Sequence, residues 1–426
     1  MPTHTDLQHL RARAAHAGPD ELHALASALA GSGAADEAYP LFLRAAESGH
    51  APAKVEIGRM LLYGIDRPVD VERAIGWLLE AEAAGNVAAG YTLALIGVGG
   101  SALPFDAQVN ARVLAAVNAG YPPALRAAAI HFGRSPDAGD QALCVALLDK
   151  AAQAGDGVAA LLLAERLAQG EGCAADPQAA AGLLAQLSAR GFAALPRITL
   201  PLPAVPAPPP RTLALEDVLR PPSPRTLSQS PGIALASRLL SADECRLLMA
   251  MSAPLLRRSR TLDPATGLPM DDVESHHQVR TSSDASHDPV VEDLALRLVQ
   301  RRLATAAGMD LLHAEPLIVL RYQPGEQYRP HRDYLNQGSL QRDRPQAGNR
   351  ARSLCVYLNP VASGGETDFP LAGVRVAPEP GSAVIFDNLT ADGHPDPRSL
   401  HAGLPVMEGE KWLATLWLRQ QRYRWF

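Results

Sequence analysis

Two periodicities divide the chain. From about residue 20 to residue 195, apolar and small residues recur at helical spacing, and glycines follow alanine-rich runs at a regular interval. Gly49, Gly85, Gly120, Gly155 and Gly191 are separated by 36, 35, 35 and 36 residues, and Ala53, Ala89, Ala124 and Ala159 each lie four residues after one of the first four. A second glycine follows in most units, at Gly64, Gly97, Gly133 and Gly170. The pattern predicts helix–turn–helix units. Alanine marks close helix approach, and glycine takes the left-handed conformation that closes a helix. A period of 35 to 36 residues signals an all-α helical-repeat solenoid.

Beyond Pro231 the pattern changes to short apolar or alternating runs between Gly/Pro turns. Ile233–Leu235, Leu317–Tyr322, Arg352–Leu358, Val374–Ala377, Ala383–Phe386 and Trp412–Arg419 read as strands, and Gly364–Pro370 as a glycine turn entering another. Ser241-Ala242-Asp243-Glu244 is a capping box that opens a helix to about Met251, and Val290–Ala306 has amphipathic helical spacing. Many short strands with such turns predict a C-terminal double-stranded β-helix (jelly roll) with flanking helices. Between the halves, Pro196–Pro231 is proline-rich and is expected to be a spacer, interrupted only by a short helix at Leu213–Leu219. The expected organisation is multidomain: residues 1–195 a helical repeat domain, 196–230 a linker, 231–426 the jelly roll. A polar stretch from Ala253 to Asp288, with His276 and His277, reads as a long irregular loop.

Composition adds exclusions. The net charge of −6 argues against a nucleic-acid partner. Cys144, Cys173, Cys245 and Cys355 form no CxxC and read as reduced, mostly buried thiols of a cytoplasmic protein. No basic region followed by an apolar run opens the chain, so no signal peptide is expected. Asn86–Phe105 is uncharged over twenty residues, but it contains Gly90, Gly97, Gly99, Gly100 and Pro104 and keeps the repeat register. A buried repeat helix is expected there, not a membrane span.

The candidate chemistry lies in Ile318–Asp333. An apolar run leads through Pro324-Gly325 to His331 and Asp333, and positions i and i+2 of a strand share a face. Ser399-Leu400-His401-Ala402-Gly403 supplies a second histidine. Two histidines and one carboxylate form the facial triad of non-haem Fe(II) oxygenases, which leaves positions open for substrate and O₂.

The ordered motifs resemble a known family. They are Tyr322-x-x-Gly325-x-x-Tyr328-x-x-His331-x-Asp333, Gly364-Gly365-Glu366-Thr367-x-Phe369-Pro370, Gly381–Phe386, Ser399–Gly403 with Pro405-Val406, and Gly409-Glu410-Lys411-Trp412. Over about residues 231 to 425 they resemble the prolyl 4-hydroxylase group of 2-oxoglutarate/Fe(II) dioxygenases. The resemblance implies Fe(II) on His331, Asp333 and His401, with 2-oxoglutarate and O₂ as cosubstrates and ascorbate as an accessory. It implies that Lys411, on a strand expected beside that of His401, anchors the distal carboxylate of 2-oxoglutarate. Thr367 or Tyr357 would donate hydrogen bonds, Tyr322 would reach the cosubstrate, and Trp417 would line the wall. Arg280, in Arg280-Thr281-Ser282-Ser283, falls in a stretch that resembles one near the family's substrate. The implied reaction hydroxylates an unactivated C–H, with a prolyl residue of a peptide or protein favoured. A free amino acid or small molecule is the alternative substrate, and a repeat adaptor with a vestigial oxygenase domain the alternative class.

The front half resembles Sel1-like repeats, with Asp70-Val71-Glu72-Arg73-Ala74 and Asp176-Pro177-Gln178-Ala179-Ala180 matching that family's second-helix start. This implies a concave surface that docks a peptide or protein. His394, Glu366, Asp368, His276 and His277 read as loop or surface groups, and Arg332 as pointing away from the metal. A proline-rich segment entering the active site in cis is a further alternative.

Overall fold

The computed structural model describes Arg11 and residues 14–200, 211–259 and 280–426. The prolines at 201–210 and the loop histidines 276 and 277 lie outside these residues. The chain divides into two compact units, one running to Ala124 and including Phe426, the other Leu125–Trp425.

The first unit holds helices α1 (Pro19–Gly31), α2 (Ala35–Glu47), α3 (Ala51–Tyr63), α4 (Val71–Ala83), α5 (Val87–Gly99) and α6 (Ala107–Asn118), each packed on the next. Helix α7 (Pro122–Phe132) leads into the second unit, which continues with α8 (Ala138–Gln153), α9 (Gly157–Gln169) and α10 (Pro177–Ala189). The periodic glycines do what the spacing predicts. Gly49, Gly85, Gly120, Gly155 and Gly191 have φ between +74° and +93°. Ala53, Ala89, Ala124 and Ala159 are fully buried. Asp70, Asn86, Asp137, Asp156 and Asp176 cap the next helix through their side chains.

The second set of glycines is only half as predicted. Gly64 and Gly170 are left-handed caps, but Gly97 lies inside α5, and Gly100 takes the left-handed position instead. Gly97 and Gly133 serve close approach. An added Cβ would stand 2.6 Å from Val109 Cγ2 at Gly97, and 2.6 Å from Arg166 Nη2 at Gly133.

The jelly roll lies in the second unit. Its larger sheet runs β1 (Arg225–Gln229), β2 (Gly232–Ala236), β11 (Ala383–Asp387), β7 (Arg350–Tyr357), β14 (Lys411–Arg419), β5 (Leu317–Tyr322), β4 (Ser283–His287), β3 (Arg257–Arg258). The smaller runs β10 (Val374–Val376), β9 (Thr367–Phe369), β12 (His401–Gly403), β6 (Tyr328–His331), and β8 (Ser363–Gly364) pairs with β13 (Val406–Glu408). All pairings are antiparallel. Tyr357, Val384, Phe386 and Leu413 of the large sheet share one core with Phe369, Val376 and Val406. The other face of the large sheet meets helices α11 (Ala242–Ser252) and α12 (Leu294–Ala306). The predicted capping box closes on α11, where Glu244 N donates to Ser241 Oγ and Ser241 N donates to Glu244.

Three expectations need correction. The expected spacer is not devoid of strands, because Arg225–Gln229 forms edge strand β1. Pro222, Pro224 and Pro231 flank that strand, where no ladder hydrogen bond is required of them. The loop from Ala253 to Asp288 is strand at its described ends, β3 and β4, because β5 offers an edge that pairs with β4. The strand of Lys411 does not run beside that of His401. It sits at the centre of the opposite sheet, with Lys411 paired to Tyr322.

Candidate active site

The two histidines are brought together by strand register. His401 of β12 stands directly opposite His331 of β6, with ring centroids 4.3 Å apart. Asp333 lies two residues on, just past the end of β6. Its Oδ1 is 3.5 Å from His331 Nε2 and 3.8 Å from His401 Nε2. One ligand atom from each residue can be chosen so that all lie within 4.8 Å of one another.

Backbone carbonyls set the imidazole tautomers. His331 Nδ1 is 2.8 Å from Arg329 O, and His401 Nδ1 is 3.0 Å from Ser399 O. A carbonyl only accepts, so each Nδ1 carries the proton and each Nε2 is left with a lone pair that can bind a metal. Tyr328 stacks on His331 at 3.4 Å, and Phe386 and Phe369 flank His401 at 4.5 and 5.6 Å. Burial, then His331, push the His401 pKa down to about 4. Burial alone would raise the Asp333 carboxyl, but His401, His331 and Arg350 outweigh it and hold the group well below the usual carboxylate range.

The cavity beside these donors is lined by the inward residues of β5, β7 and β14, including Tyr322, Cys355, Lys411, Thr415 and Trp417, with Thr367 from β9. Lys411 is 2% exposed. Its ammonium donates to Gly365 O at 2.6 Å and lies 5.5 Å from the rings of Tyr322 and Tyr357. Among the described residues no carboxylate forms an ion pair with it. Burial lowers its pKa to about 8, while Cys355 and Glu366 pull the other way.

The remaining predicted residues separate. Thr367, Tyr322 and Trp417 line the cavity. Tyr357 stands behind it, fully buried, and its hydroxyl donates to Thr367 Oγ1 at 2.8 Å. Of that pair, Thr367 is the residue that lines the cavity. Arg280 is buried on the cavity wall, held by Ser282 Oγ at 2.9 Å, Asp284 at 3.2 Å and the Tyr328 ring at 5.3 Å. Arg332 turns away and donates to Pro397 O. Asp368 pairs with Arg375, and His394 is exposed in its loop.

Sequence reasoning missed Arg350, Ser353 and Asn388. Arg350 covers the Trp417 ring at 3.6 Å and donates to Asp333 O at 3.3 Å, with Glu315 as its ion partner at 2.8 Å. Ser353 and Asn388 are fully buried behind Asp333. The one signal was polarity in the strand Arg350–Tyr357, where inward Ser353 interrupts an otherwise apolar face.

Two neutral imidazole nitrogens and one carboxylate oxygen on one side of a cavity suit Fe(II) with open positions, and a buried unpaired ammonium suits a carboxylate ligand. The comparisons agree. Residues 317–419 match the family model of the 2OG-Fe(II) oxygenase superfamily. Prolyl 4-hydroxylase 1 of Arabidopsis thaliana is 36% identical over 213 residues, covering 46% of this chain and 72% of that protein. The chain therefore belongs to the prolyl 4-hydroxylase family of 2-oxoglutarate/Fe(II) dioxygenases. Among solved structures it is similar to the viral collagen prolyl hydroxylase of Paramecium bursaria Chlorella virus-1 in its 2OG complex, at 25% identity and TM-score 0.34, over 44% of this chain and 95% of that one. It is also similar to a Sel1 repeat protein of Oxalobacter formigenes, at 18% identity and TM-score 0.36, over 41% of this chain and 74% of that one.

Proposed function

We propose that this chain hydroxylates a prolyl residue of a peptide or protein at an unactivated C–H, coupled to decarboxylation of 2-oxoglutarate to succinate and CO₂. One observation carries the reading: two imidazole Nε2 atoms and a carboxylate oxygen converge beside a cavity that holds a buried, unpaired ammonium. His331, Asp333 and His401 would hold Fe(II), and Lys411 the distal carboxylate of 2-oxoglutarate. When bound, these groups supply the oxidising power that the side chains lack.

The chain's own residues orient and exclude water. Thr367, fixed by Tyr357, and Tyr322 present hydroxyls to the cosubstrate. Trp417 and Arg280 shape the wall that the target residue meets. Tyr328, Phe369 and Phe386 hold the imidazoles and keep the site dry. The intact donors and ammonium favour this over a vestigial oxygenase serving as an adaptor.

The wider reading also stands as a proposal. The domains are residues 1–195, 196–230 and 231–426, with strand β1 (Arg225–Gln229) of the spacer joining the sheet of the last, and the repeats dock the protein substrate. Ascorbate keeps the iron reduced, and the free thiols suit a cytoplasmic location. No helix among the described residues is long and apolar enough to cross a membrane, and the partners are proteins, not nucleic acid.

The test is succinate formation by the full chain with Fe(II), 2-oxoglutarate and a proline-rich peptide, together with a +16 Da shift on proline. His331→Ala should abolish both. Turnover of free proline with none of the peptide would transfer the proposal to small molecules, and turnover by His331→Ala would overturn the site.

A further inference from the structure

The two oxygens of Asp333 have different partners. Oδ1 is the atom near both Nε2 positions. Oδ2 accepts from Ser353 Oγ at 2.7 Å, and Ser353 Oγ in turn accepts from Asn388 Nδ2 at 2.8 Å. Ser353, Asn388 and Asp333 are 0%, 0% and 7% exposed, so bulk water does not compete for these bonds.

The backbone anchors the far end of the chain. Asn388 follows β11, where its N–H donates to Ala351 O and its carbonyl accepts from Asp396 N, both at 2.9 Å. Ser353 pairs in register with Phe386 on one side and Trp417 on the other, which leaves its side chain directed inward.

The amide fixes the polarity of this line. With Asn388 Nδ2 donating to Ser353 Oγ, the hydroxyl proton is left to point at Asp333, and a 2.7 Å contact suits a hydrogen bond to an ionised acceptor. The far end is not stabilising in itself. Asn388 Oδ1 is buried without a hydrogen-bond partner among the described residues, which an apolar side chain of similar size would avoid.

We propose that Ser353, oriented by Asn388, is a positioning device that withholds Oδ2 of Asp333 from a bound metal and presents Oδ1 alone. This rests on the metal-site reading above. A carboxylate held to one oxygen takes one coordination position and leaves the rest of that face for ligands.

The test uses the full chain and Co(II) alone, with affinity read by titration calorimetry and ligand geometry by the visible absorption of the cobalt form. Ser353→Ala should weaken binding about tenfold to a hundredfold, the usual range for losing a hydrogen bond to a metal ligand, and should change the absorption band. Ser353→Thr keeps the hydroxyl and should restore both. Asn388→Ala should show a smaller loss that disappears in the Ser353→Ala background, because Asn388 acts only through Ser353. Wild-type affinity and spectrum in a folded Ser353→Ala protein, or losses that add fully in the double variant, would overturn the proposal. His331→Ala is the separate control. If it binds Co(II) as the wild type does, the metal-site reading fails, and this proposal fails with it.

Discussion

Two clusters of buried charge lie in the same compact unit and are built in opposite ways. In the first, residues of the last repeats meet helices α11 and α12. Arg166 Nε donates to Asp243 at 3.0 Å, and Arg246 joins Asp243 at 3.0 Å to Glu171 at 2.6 and 2.9 Å. Arg134 lies 3.4 Å from Asp217 and 3.5 Å from Glu244, and Arg126 pairs with Asp156 and Asp293. Each of these guanidinium groups has carboxylates of the same protein as partners. In the second cluster, Lys411 donates to a carbonyl oxygen and pairs with no carboxylate among the described residues, and three metal-type donors converge beside a cavity. Both are buried and both perturb proton affinities. Charges that satisfy each other join elements, whereas charges that face a cavity without a partner await a ligand.

Breaking the paired cluster should give the largest effect, and on stability alone. Arg166→Met leaves Asp243 buried without its main cation, which costs about 3–5 kcal/mol. Urea unfolding should show the loss, and Arg166→Met with Asp243→Leu should recover most of it. The affinity of the folded protein for 2-oxoglutarate should stay unchanged. A matching loss of that affinity would erase the contrast between the clusters.

Lys411→Ala should do the reverse. It removes a cation that has no carboxylate partner among the described residues, so unfolding should barely be weakened or should even improve. The affinity for 2-oxoglutarate should fall roughly 10- to 100-fold, the worth of about 1.5–3 kcal/mol for a hydrogen bond to a charged group. Calorimetry with Mn(II)-loaded protein measures it, and Mn(II) binding itself should be preserved.

The smallest effect is a pH slope. Burial lowers the Lys411 pKa from its ordinary value to about 8. The charged form dominates below that pH and is lost as pH rises through it. Affinity for 2-oxoglutarate should therefore be level below about pH 8 and decline above it, by at most about tenfold per unit. Lys411→Ala should give no such decline. A wild-type profile level to pH 10 would place the ammonium outside the binding step.

Much of this was legible in one dimension because the signals are local. The glycine period marks helix ends whose backbone needs positive φ, and that requirement acts within a few residues. The capping box at Ser241–Glu244 is complete within four positions. His331, Asp333, His401 and Lys411 stand out by residue type and motif context. The convergence of His331, Asp333 and His401 could be expected from triad chemistry, although Asp333 reaches the site from just past β6 and not by strand alternation.

Contacts made by residues distant in the chain could not be read that way. Nothing local says that Lys411 sits on the central strand of the sheet opposite His401, or that Arg225–Gln229, among prolines, becomes an edge strand. Strand partners are chosen by the whole sheet, through edges left open and faces that must be buried. Ser353 and Asn388 carry no local mark of a role until the fold sets both behind Asp333. Arg166 and Asp243, 77 positions apart, carry no local mark of their pairing until helix packing removes their water. Residue chemistry was thus determined by the sequence itself. Which groups are satisfied, and which face a cavity, was decided only by tertiary structure, because desolvation and partner distance are properties of the packed chain.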